Sequence, residues 1–264
     1  MLGAIIGDIC GSIYEFDNHK TDRPKTIDLL NPGCFYTDDT VLTCAVAEAL
    51  FGFGEDDRTH DYGAAIYRWA NKYPGESYGG NFRHWFASSN PQPYNSYGNG
   101  SAMRVSPVGW AFDSLEETLA EAKKSADVTH NHPDGVKGAQ ATAAAIFMAR
   151  KGASKQEIKT YTEKTFGYDL NRRSADIRPI YEFNESCQGT VPEAIIAFLE
   201  SDDYPSAIQI AISLGGDTDT LACITGGIAE AFYRKIPKEI TAFAKGKLDE
   251  NMVRVIDKFY NRFG

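Results

Sequence analysis

Long apolar runs, paired cysteines and an excess of positive charge are all missing from this sequence. The longest apolar run, residues 143–149, falls well short of the roughly 20 residues that a membrane-spanning helix needs. The chain opens without a basic segment and reaches Asp8 almost at once, which is unlike a secretory signal peptide. We therefore expect no membrane association and a cytoplasmic location.

The cysteines are few and scattered. Their number is odd and no two of them form a CxxC pair, so neither a disulfide framework nor a zinc knuckle is indicated. We expect reduced thiols that are mostly buried. The five residues are Cys10, Cys34, Cys44, Cys187 and Cys223.

Positive charge is also scarce, since 27 Lys and Arg face 36 Asp and Glu and leave a net charge of −9. This balance argues against a protein that binds nucleic acid through a basic face. Hydrophobic residues make up 42% of the 264 positions, as in ordinary globular domains. The chain therefore has enough apolar residues to bury a full core.

Strand patterns are rare, whereas apolar residues recur with helical spacing along most of the chain. No long linker and no solenoid repeat interrupts this pattern. We therefore predict one compact all-α domain over residues 1–264. The predicted helical stripes cover residues 41–50, 62–69, 115–126, 136–149, 191–199, 207–214, 221–232 and 252–259.

The segment 73–100 differs from the rest because it is rich in Gly, Ser, Asn, Pro and aromatic residues. It is too long for a passive connection in a helical domain. Long loops of this kind often form binding walls or lids. We expect this segment to border a binding site.

Two acidic clusters each precede a predicted helix. The first is Tyr36-Thr37-Asp38-Asp39-Thr40, for which helix capping alone is a sufficient explanation. The second is Gly215-Gly216-Asp217-Thr218-Asp219-Thr220, in which capping accounts for one acid but not for two. Alternating Asp and Thr supply the hard oxygen ligands that Mg²⁺ and Mn²⁺ prefer.

The two clusters predict a binuclear metal site if their helix starts meet. Four aspartates crowded together would repel one another and need cations to persist. Two metals would orient a substrate and lower the pKa of a bound water. Glu15, expected at the end of an N-terminal helix, opposes the helix dipole there. This misfit makes it a candidate functional residue, although an exposed surface glutamate is the commoner explanation.

Two glycine-rich stretches offer backbone N–H groups that are not shielded by side chains. Residues 97–104 have the form of a loop that cradles a phosphate, although Gly98-Asn99-Gly100 by itself is more often a turn than a ligand site. Tyr78-Gly79-Gly80-Asn81 has the same two interpretations. His130 and His132 form an H-x-H pair, which is weak as a zinc motif in a polar turn.

Taken in order, these motifs resemble the ADP-ribosylglycohydrolase family, of the dinitrogenase reductase-activating glycohydrolase type. The resemblance extends over nearly the whole chain. It rests on Gly3-Ala4-Ile5-Ile6-Gly7-Asp8 leading to Glu15, on Tyr36 to Thr40, on Gly98 to Arg104, on Thr129-His130 and on Gly215 to Thr220.

The resemblance implies an orthogonal multi-helix fold with two divalent cations, Mg²⁺ or Mn²⁺, at its centre. The implied metal ligands are Thr37, Asp38, Asp39, Asp217, Asp219 and Thr220, and the implied catalytic residues are Glu15, Asp38 and Asp219. The implied substrate-binding residues are Tyr78, Gly79, Gly80, Tyr97, Gly98, Asn99, Gly100, Ser101, Met103, Arg104 and His130.

The reaction that the resemblance implies is hydrolysis of the bond from ribose C1″ to an arginine or serine side chain. An ADP-ribosylated protein would be the substrate and ADP-ribose the product. A two-metal nucleotide pyrophosphohydrolase and a non-catalytic ADP-ribose binder are the alternatives. Residues 83–96 match no family pattern, and we expect them to shape the acceptor side of the cleft.

Overall fold

The computed structural model describes residues 1–15, 18–52 and 60–264, and the regular secondary structure of these residues is helical. These residues form no β-strand, and their one strand-like contact is an isolated antiparallel bridge between Gly98 and Ser186. The first helices are α1 (Leu2–Gly11), α2 (Asp38–Ala49), α3 (Tyr62–Lys72), α4 (Gly80–Ala87), α5 (Gly100–Met103), α6 (Ser106–Ala111) and α7 (Leu115–Asp127). The others are α8 (Pro133–Arg150), α9 (Lys155–Phe166), α10 (Ser174–Ile177), α11 (Cys187–Glu200), α12 (Tyr204–Ser213), α13 (Thr218–Tyr233), α14 (Lys238–Lys245) and α15 (Glu250–Phe263).

The prediction of an all-α fold is confirmed. Every predicted helical stripe lies within a helix or extends one residue beyond it, and the helices begin or end up to four residues outside the stripes. The stripes did not reveal α4, α5, α6, α9, α10 and α14. All of these except α9 have at most eight residues, which is too short for an apolar stripe to repeat along the helix. In α9 only Ile158 and Thr162 are buried, so the apolar stripe is too thin to detect.

Two predictions about local structure are corrected. The segment 73–100 is not one long loop, because it contains α4. Glu15 does not end the first helix, because α1 stops at Gly11 and Glu15 lies in the turns that follow. The argument from the helix dipole therefore does not apply to Glu15.

Helix α13 is buried near the centre of the fold, where α1, α8, α11 and α12 pack against it. The contact with α1 is made by backbone rather than by side chains. Gly3, Gly7 and Gly11 recur every fourth residue and so share one face of α1. A methyl group on Gly7 would lie 2.0 Å from the carbonyl oxygen of Ala222, and one on Gly11 would lie 2.5 Å from that of Thr218.

This close antiparallel packing places the C-terminal end of α1 beside the first turn of α13. The buried apolar side chains of the described residues form one connected cluster around this pair. All five cysteines are buried and unpaired, as predicted. Among the described residues, no helix combines the length and the apolar character that a membrane crossing requires.

Candidate active site

A cavity of about 240 Å³ opens where α2 and α13 begin. The structure brings both acidic clusters, 179 residues apart in the chain between Asp38 and Asp217, to the same wall of this cavity. Their residues in that wall, together with Glu15 from the turns after α1, are Glu15, Asp38, Asp39, Asp217, Asp219 and Thr220.

Two glycines turn the chain into this wall. Gly215 and Gly216 have φ values of 77° and 73°, in the left-handed region that other residues rarely adopt. The backbone N–H of Gly216 donates a hydrogen bond to Oδ1 of Asn18, 2.8 Å away. The Gly-Gly pair thus has a conformational role, and it fixes the direction in which Asp217 enters the cavity.

The carboxylates of this wall lack cationic partners among the described residues. Glu15, Asp217 and Asp219 each offer an oxygen atom within 4.8 Å of the others. Oδ1 of Asp39 and Oε2 of Glu15 are buried without any hydrogen-bond partner. Unpaired buried carboxylate oxygens are costly, and a bound cation would remove that cost.

Burial and mutual repulsion disfavour the charged forms of these acids. Burial, followed by the charge of Asp219, raises the pKa of Asp38 to about 8 and that of Glu15 to about 8. The same two causes raise the pKa values of Asp39 and Asp217 well above their usual range. The cluster therefore holds protons near neutral pH unless a cation replaces them.

Asp8 supports this wall from behind, a role that sequence analysis did not assign. Its carboxylate accepts four hydrogen bonds, from the backbone N–H and the hydroxyl of both Thr37 and Thr40. Burial and the charge of Asp219 raise the pKa of Asp8 to about 7. The available signal was an acid inside the otherwise apolar helix Leu2–Gly11, since such an acid needs buried partners.

Thr37 differs from the other predicted metal ligands in its surroundings. Its hydroxyl donates to Oδ1 of Asp8 at 2.7 Å, and it accepts from the backbone N–H of Asp39 as the N-cap of α2. Thr220 lines the cavity and donates to Oδ2 of Asp39 at 3.3 Å. Of the two threonines, Thr220 is the one that faces the cavity.

The opposite wall is formed by the glycine-rich residues after Tyr97. Gly98, Asn99 and Gly100 line the cavity, and Nδ2 of Asn99 donates to Oδ2 of Asp217 at 2.6 Å. This bond joins the two walls. Met103, Arg104 and His130 continue the wall, together with Tyr94 and Ser96.

Arg104 is a fully buried cation without a carboxylate partner among the described residues. One guanidinium nitrogen, Nη2, donates to the carbonyl of Ser125 and to the hydroxyl of Thr129, each at 2.8 Å. Nε and Nη1 have no partner. Burial lowers the pKa of Arg104 to about 10, and burial together with Arg104 lowers the pKa of His130 well below its usual value.

Three of the predicted substrate-binding residues lie outside the cavity wall. Tyr78 is buried behind Gly79 and Gly80, which do line the cavity. Tyr97 is 54% exposed with its ring against His132, and the hydroxyl of Ser101 donates to the carbonyl of Gly135. Lining residues that sequence analysis did not identify are Leu42, Phe183 and Glu185. Ser77, Asn81 and Phe82 also line the cavity, and they belong to the segment 73–100 that was expected to border a binding site.

The segment 83–96 divides between two cavities. Tyr94 and Ser96 line the candidate site, whereas Trp85, Pro91 and Pro93 line a separate groove. The expectation that this segment shapes the acceptor side of the cleft stays a prediction.

An all-α fold with a cavity of buried, unpaired carboxylates defines a class of helical proteins with an acidic centre. Comparison with known proteins identifies the particular family. The model of the ADP-ribosylglycohydrolase family matches residues 1–263, and the chain belongs to that family of enzymes, which hydrolyse glycosidic bonds.

Similar proteins agree with this assignment. The human ADP-ribosylhydrolase ARH3 is 28% identical over 88% of this chain and 84% of its own length. The ADP-ribosylarginine hydrolase Tri1 of Pseudomonas putida is 26% identical over 88% of this chain and 69% of its own. A solved structure described as an ADP-ribosylglycohydrolase-related protein complex has a TM-score of 0.73 at 23% identity and covers 100% of this chain and 97% of its own, a similarity of fold.

Proposed function

We propose that this protein, as a single cytoplasmic domain, hydrolyses the bond between ribose C1″ and an arginine or serine side chain of ADP-ribosylated proteins. The observation that carries the proposal is the pairing of opposite charges across one cavity. Unpaired carboxylates around Asp219 form one wall, and the unpaired buried cation Arg104 belongs to the other. ADP-ribose matches this arrangement, because its distal ribose carries hydroxyl groups while its pyrophosphate is anionic.

Two divalent cations, Mg²⁺ or Mn²⁺, fit the acidic wall. Oδ1 of Asp39 and Oε2 of Glu15 lack hydrogen-bond partners, and Glu15 converges with Asp217 and Asp219. These carboxylate oxygens are hard ligands of the kind that Mg²⁺ and Mn²⁺ select. Asp38 and Thr220, which line the cavity, would complete the ligand set. Thr37, which does not line it, would join them through the hydroxyl oxygen whose proton is donated to Asp8. Bound metals would supply Lewis acidity and a water of lowered pKa.

The chain's own residues contribute charge and position. Departure of the acceptor from C1″ builds positive charge on the ribose, which the carboxylates of Asp38 and Asp219 favour. Asn99 holds Asp217 in place through its 2.6 Å hydrogen bond. Glu15, whose Oε2 is buried without a hydrogen-bond partner, binds the water molecule that replaces the acceptor at C1″.

The opposite wall would bind the pyrophosphate. Small residues at Gly98 and Gly100 allow phosphate oxygens to approach the backbone, and Arg104 supplies the positive charge. His130, whose pKa is lowered by burial and by Arg104, stays neutral beside it and can donate or accept a hydrogen bond. Substrate orientation would follow from this division of charge.

The test is product analysis with defined substrates. Peptides carrying ADP-ribosyl-arginine or ADP-ribosyl-serine are incubated with the protein and with Mg²⁺, Mn²⁺ or a chelator. We expect intact ADP-ribose from at least one peptide and only with metal. AMP and a ribose phosphate would instead identify a pyrophosphohydrolase, and tight ADP-ribose binding without turnover on either peptide would identify a binder.

Metal should stabilise the protein more strongly as the pH rises. The folded-state pKa values of Asp8 and Asp38, about 7 and about 8, exceed their unfolded value, so this part of the stability is present below pH 4 and is lost as pH rises towards 8. Bound cations remove the repulsion that causes this loss. Calorimetry at pH 6.5 and pH 8 should therefore show a metal-induced rise in Tm that increases by on the order of 5 °C.

The comparison of loaded with metal-free protein cancels contributions from groups far from the cluster. Sodium chloride at equal ionic strength is the control for general screening. A metal-induced change in Tm that is constant or smaller at pH 8 would contradict the assignment of the cluster as a cation site.

A further inference from the structure

A second groove, of about 460 Å³, lies between α3 and α15 and is rimmed by basic side chains. It shares no residue with the candidate active site. Its lining includes Arg68, Lys72, Arg254 and Lys258 around Trp69 and Phe51. In a chain with a net charge of −9, such a concentration of cations requires an explanation.

The cations form two rows that face each other. Arg68 and Lys72 are four residues apart on α3, and Arg254 and Lys258 are four residues apart on α15, so each pair shares one helix face. One acid, Glu48, lines the groove, and it is paired with Arg68 at 2.7 Å. The groove therefore carries a net positive charge.

Three of these cations form no ion pair with any residue that the structure describes. Nη2 of Arg254 donates to Oδ1 of Asn251, and Nζ of Lys258 lies 4.4 Å from the ring centroid of Phe51. The ammonium of Lys72 lies 5.8 Å from the ring of Trp69. Their charges are thus held along the groove and are available to an external anion.

The spacing of the charges fits an extended peptide better than a small anion. Residues four apart on a helix are separated by about 6 Å along its axis. Alternate side chains of an extended peptide point the same way and are separated by about 6.6 Å. A segment with alternate acidic residues would match Arg254 and Lys258 on α15 and bring a further carboxylate to Lys72 on α3. Its apolar atoms would cover Trp69 and Val255.

The groove is close to the candidate active site. Lys72, at the rim of the groove, precedes Ser77, in the cavity wall, by five residues, so the two Cα atoms are at most about 18 Å apart. Between them, Tyr73 donates a 2.6 Å hydrogen bond to Asp249, the N-cap of α15. This bond joins the end of α3 to the start of α15.

We infer that this groove binds an acidic segment of the ADP-ribosylated protein while the modified side chain occupies the catalytic cavity. The inference rests on the proposed function. Binding in the groove lowers the KM for protein substrates. This effect weakens with salt because the charges involved are exposed. A small substrate that lacks the acidic segment gains nothing from it.

The first experiment measures binding without catalysis. A fluorescein-labelled peptide of alternating Glu and Ala is titrated with the full chain, and the same peptide with Gln in place of Glu is the control. The variant Lys72→Glu/Arg254→Glu/Lys258→Glu should weaken binding of the acidic peptide on the order of tenfold or more. Binding should also weaken when salt is raised from about 0.05 M to about 0.5 M.

A matched variant carries the same change of charge elsewhere on the surface. Lys164, Lys235 and Lys238 are exposed and form no ion pair with any described residue, so their replacement by Glu is the control. It should retain most of the binding. Equal loss in both variants would reduce the effect to net charge and overturn the inference.

The second experiment measures hydrolysis. The groove variant should keep the wild-type kcat/KM for free ADP-ribosyl-arginine or ADP-ribosyl-serine and show a raised KM for a modified peptide with acidic flanking residues. An unchanged KM for that peptide would overturn the inference. Binding of inorganic tripolyphosphate at the groove without binding of the acidic peptide would also overturn it.

The two proposals fail separately. Binding of the acidic peptide by a wild-type protein that hydrolyses neither linkage would overturn the proposed function, while the acidic specificity of the groove would stand. Hydrolysis of both small and acidic substrates by the groove variant at wild-type rates would overturn only the inference about the groove. An equal melting temperature for the variant and the wild type confirms that the variant is folded.

Discussion

Replacing Asp219 with asparagine should abolish release of ADP-ribose while making the metal-free protein more stable. Asp219 is the charge that contributes most to the raised pKa values of Asp38, Asp39 and Asp217. Its removal takes away a proposed metal ligand, and we expect activity to fall on the order of a thousandfold or more. The same change relieves repulsion in the unloaded cluster and should add on the order of 1 kcal/mol to its unfolding free energy.

These opposite signs separate a functional role from a structural one. An amide can still accept the 2.8 Å hydrogen bond from the backbone N–H of Thr220, so the fold should be retained. Asp202→Asn is the matched control, because Asp202 is exposed and its side chain accepts no described hydrogen bond. Steady-state assays and metal-free calorimetry measure both effects. Full activity in Asp219→Asn would refute the assignment of the site.

Replacing Gly7 with alanine should unfold the protein or leave it barely stable. The new methyl group would lie 2.0 Å from the carbonyl oxygen and 2.4 Å from the carbonyl carbon of Ala222, and backbone atoms cannot turn aside as a flexible side chain can. Separating α1 from α13 would open the centre of the core. We expect a loss of more than about 3 kcal/mol, a large part of the stability of a typical domain.

Gly63→Ala is the control for this substitution. Gly63 also lies in a helix, α3, but a methyl group there would meet its nearest atom at 3.5 Å, an ordinary contact. That variant should be neutral or gain up to about 1 kcal/mol, since alanine is the better helix former. Urea denaturation of the two variants gives the comparison. Similar stabilities would show that α1 can move away from α13 at little cost.

Most of the fold was readable from the sequence because helical periodicity is a local property. Stripes such as residues 136–149 and 221–232 identify helices without any knowledge of their neighbours. Helix α4 escaped because its eight residues lie in a segment rich in glycine and proline. The end of α1 was misjudged because the residues up to Phe16 continue its composition of small and apolar residues.

The candidate site was only partly readable. The acids of the second cluster stand out because helix capping accounts for one carboxylate but not for two. Asp8 did not stand out, since its four hydrogen bonds come from residues more than 28 positions away. Arg104 was included through family resemblance, but its lack of a carboxylate partner is a property of the folded chain.

Residue type and periodicity are local properties of the chain, so the sequence alone indicates the candidate site residues and the helices. Folding brings the clusters at Asp38 and Asp217 into one cavity, which no local pattern predicts. That meeting depends on α1, which lies against both α2 and α13. Its Asp8 accepts hydrogen bonds from the start of α2, and the absence of side chains at Gly3, Gly7 and Gly11 lets it approach α13 closely. The basic groove likewise depends on contacts between residues far apart in sequence, because α15 packs against α2 and is joined to the end of α3 by the hydrogen bond from Tyr73 to Asp249.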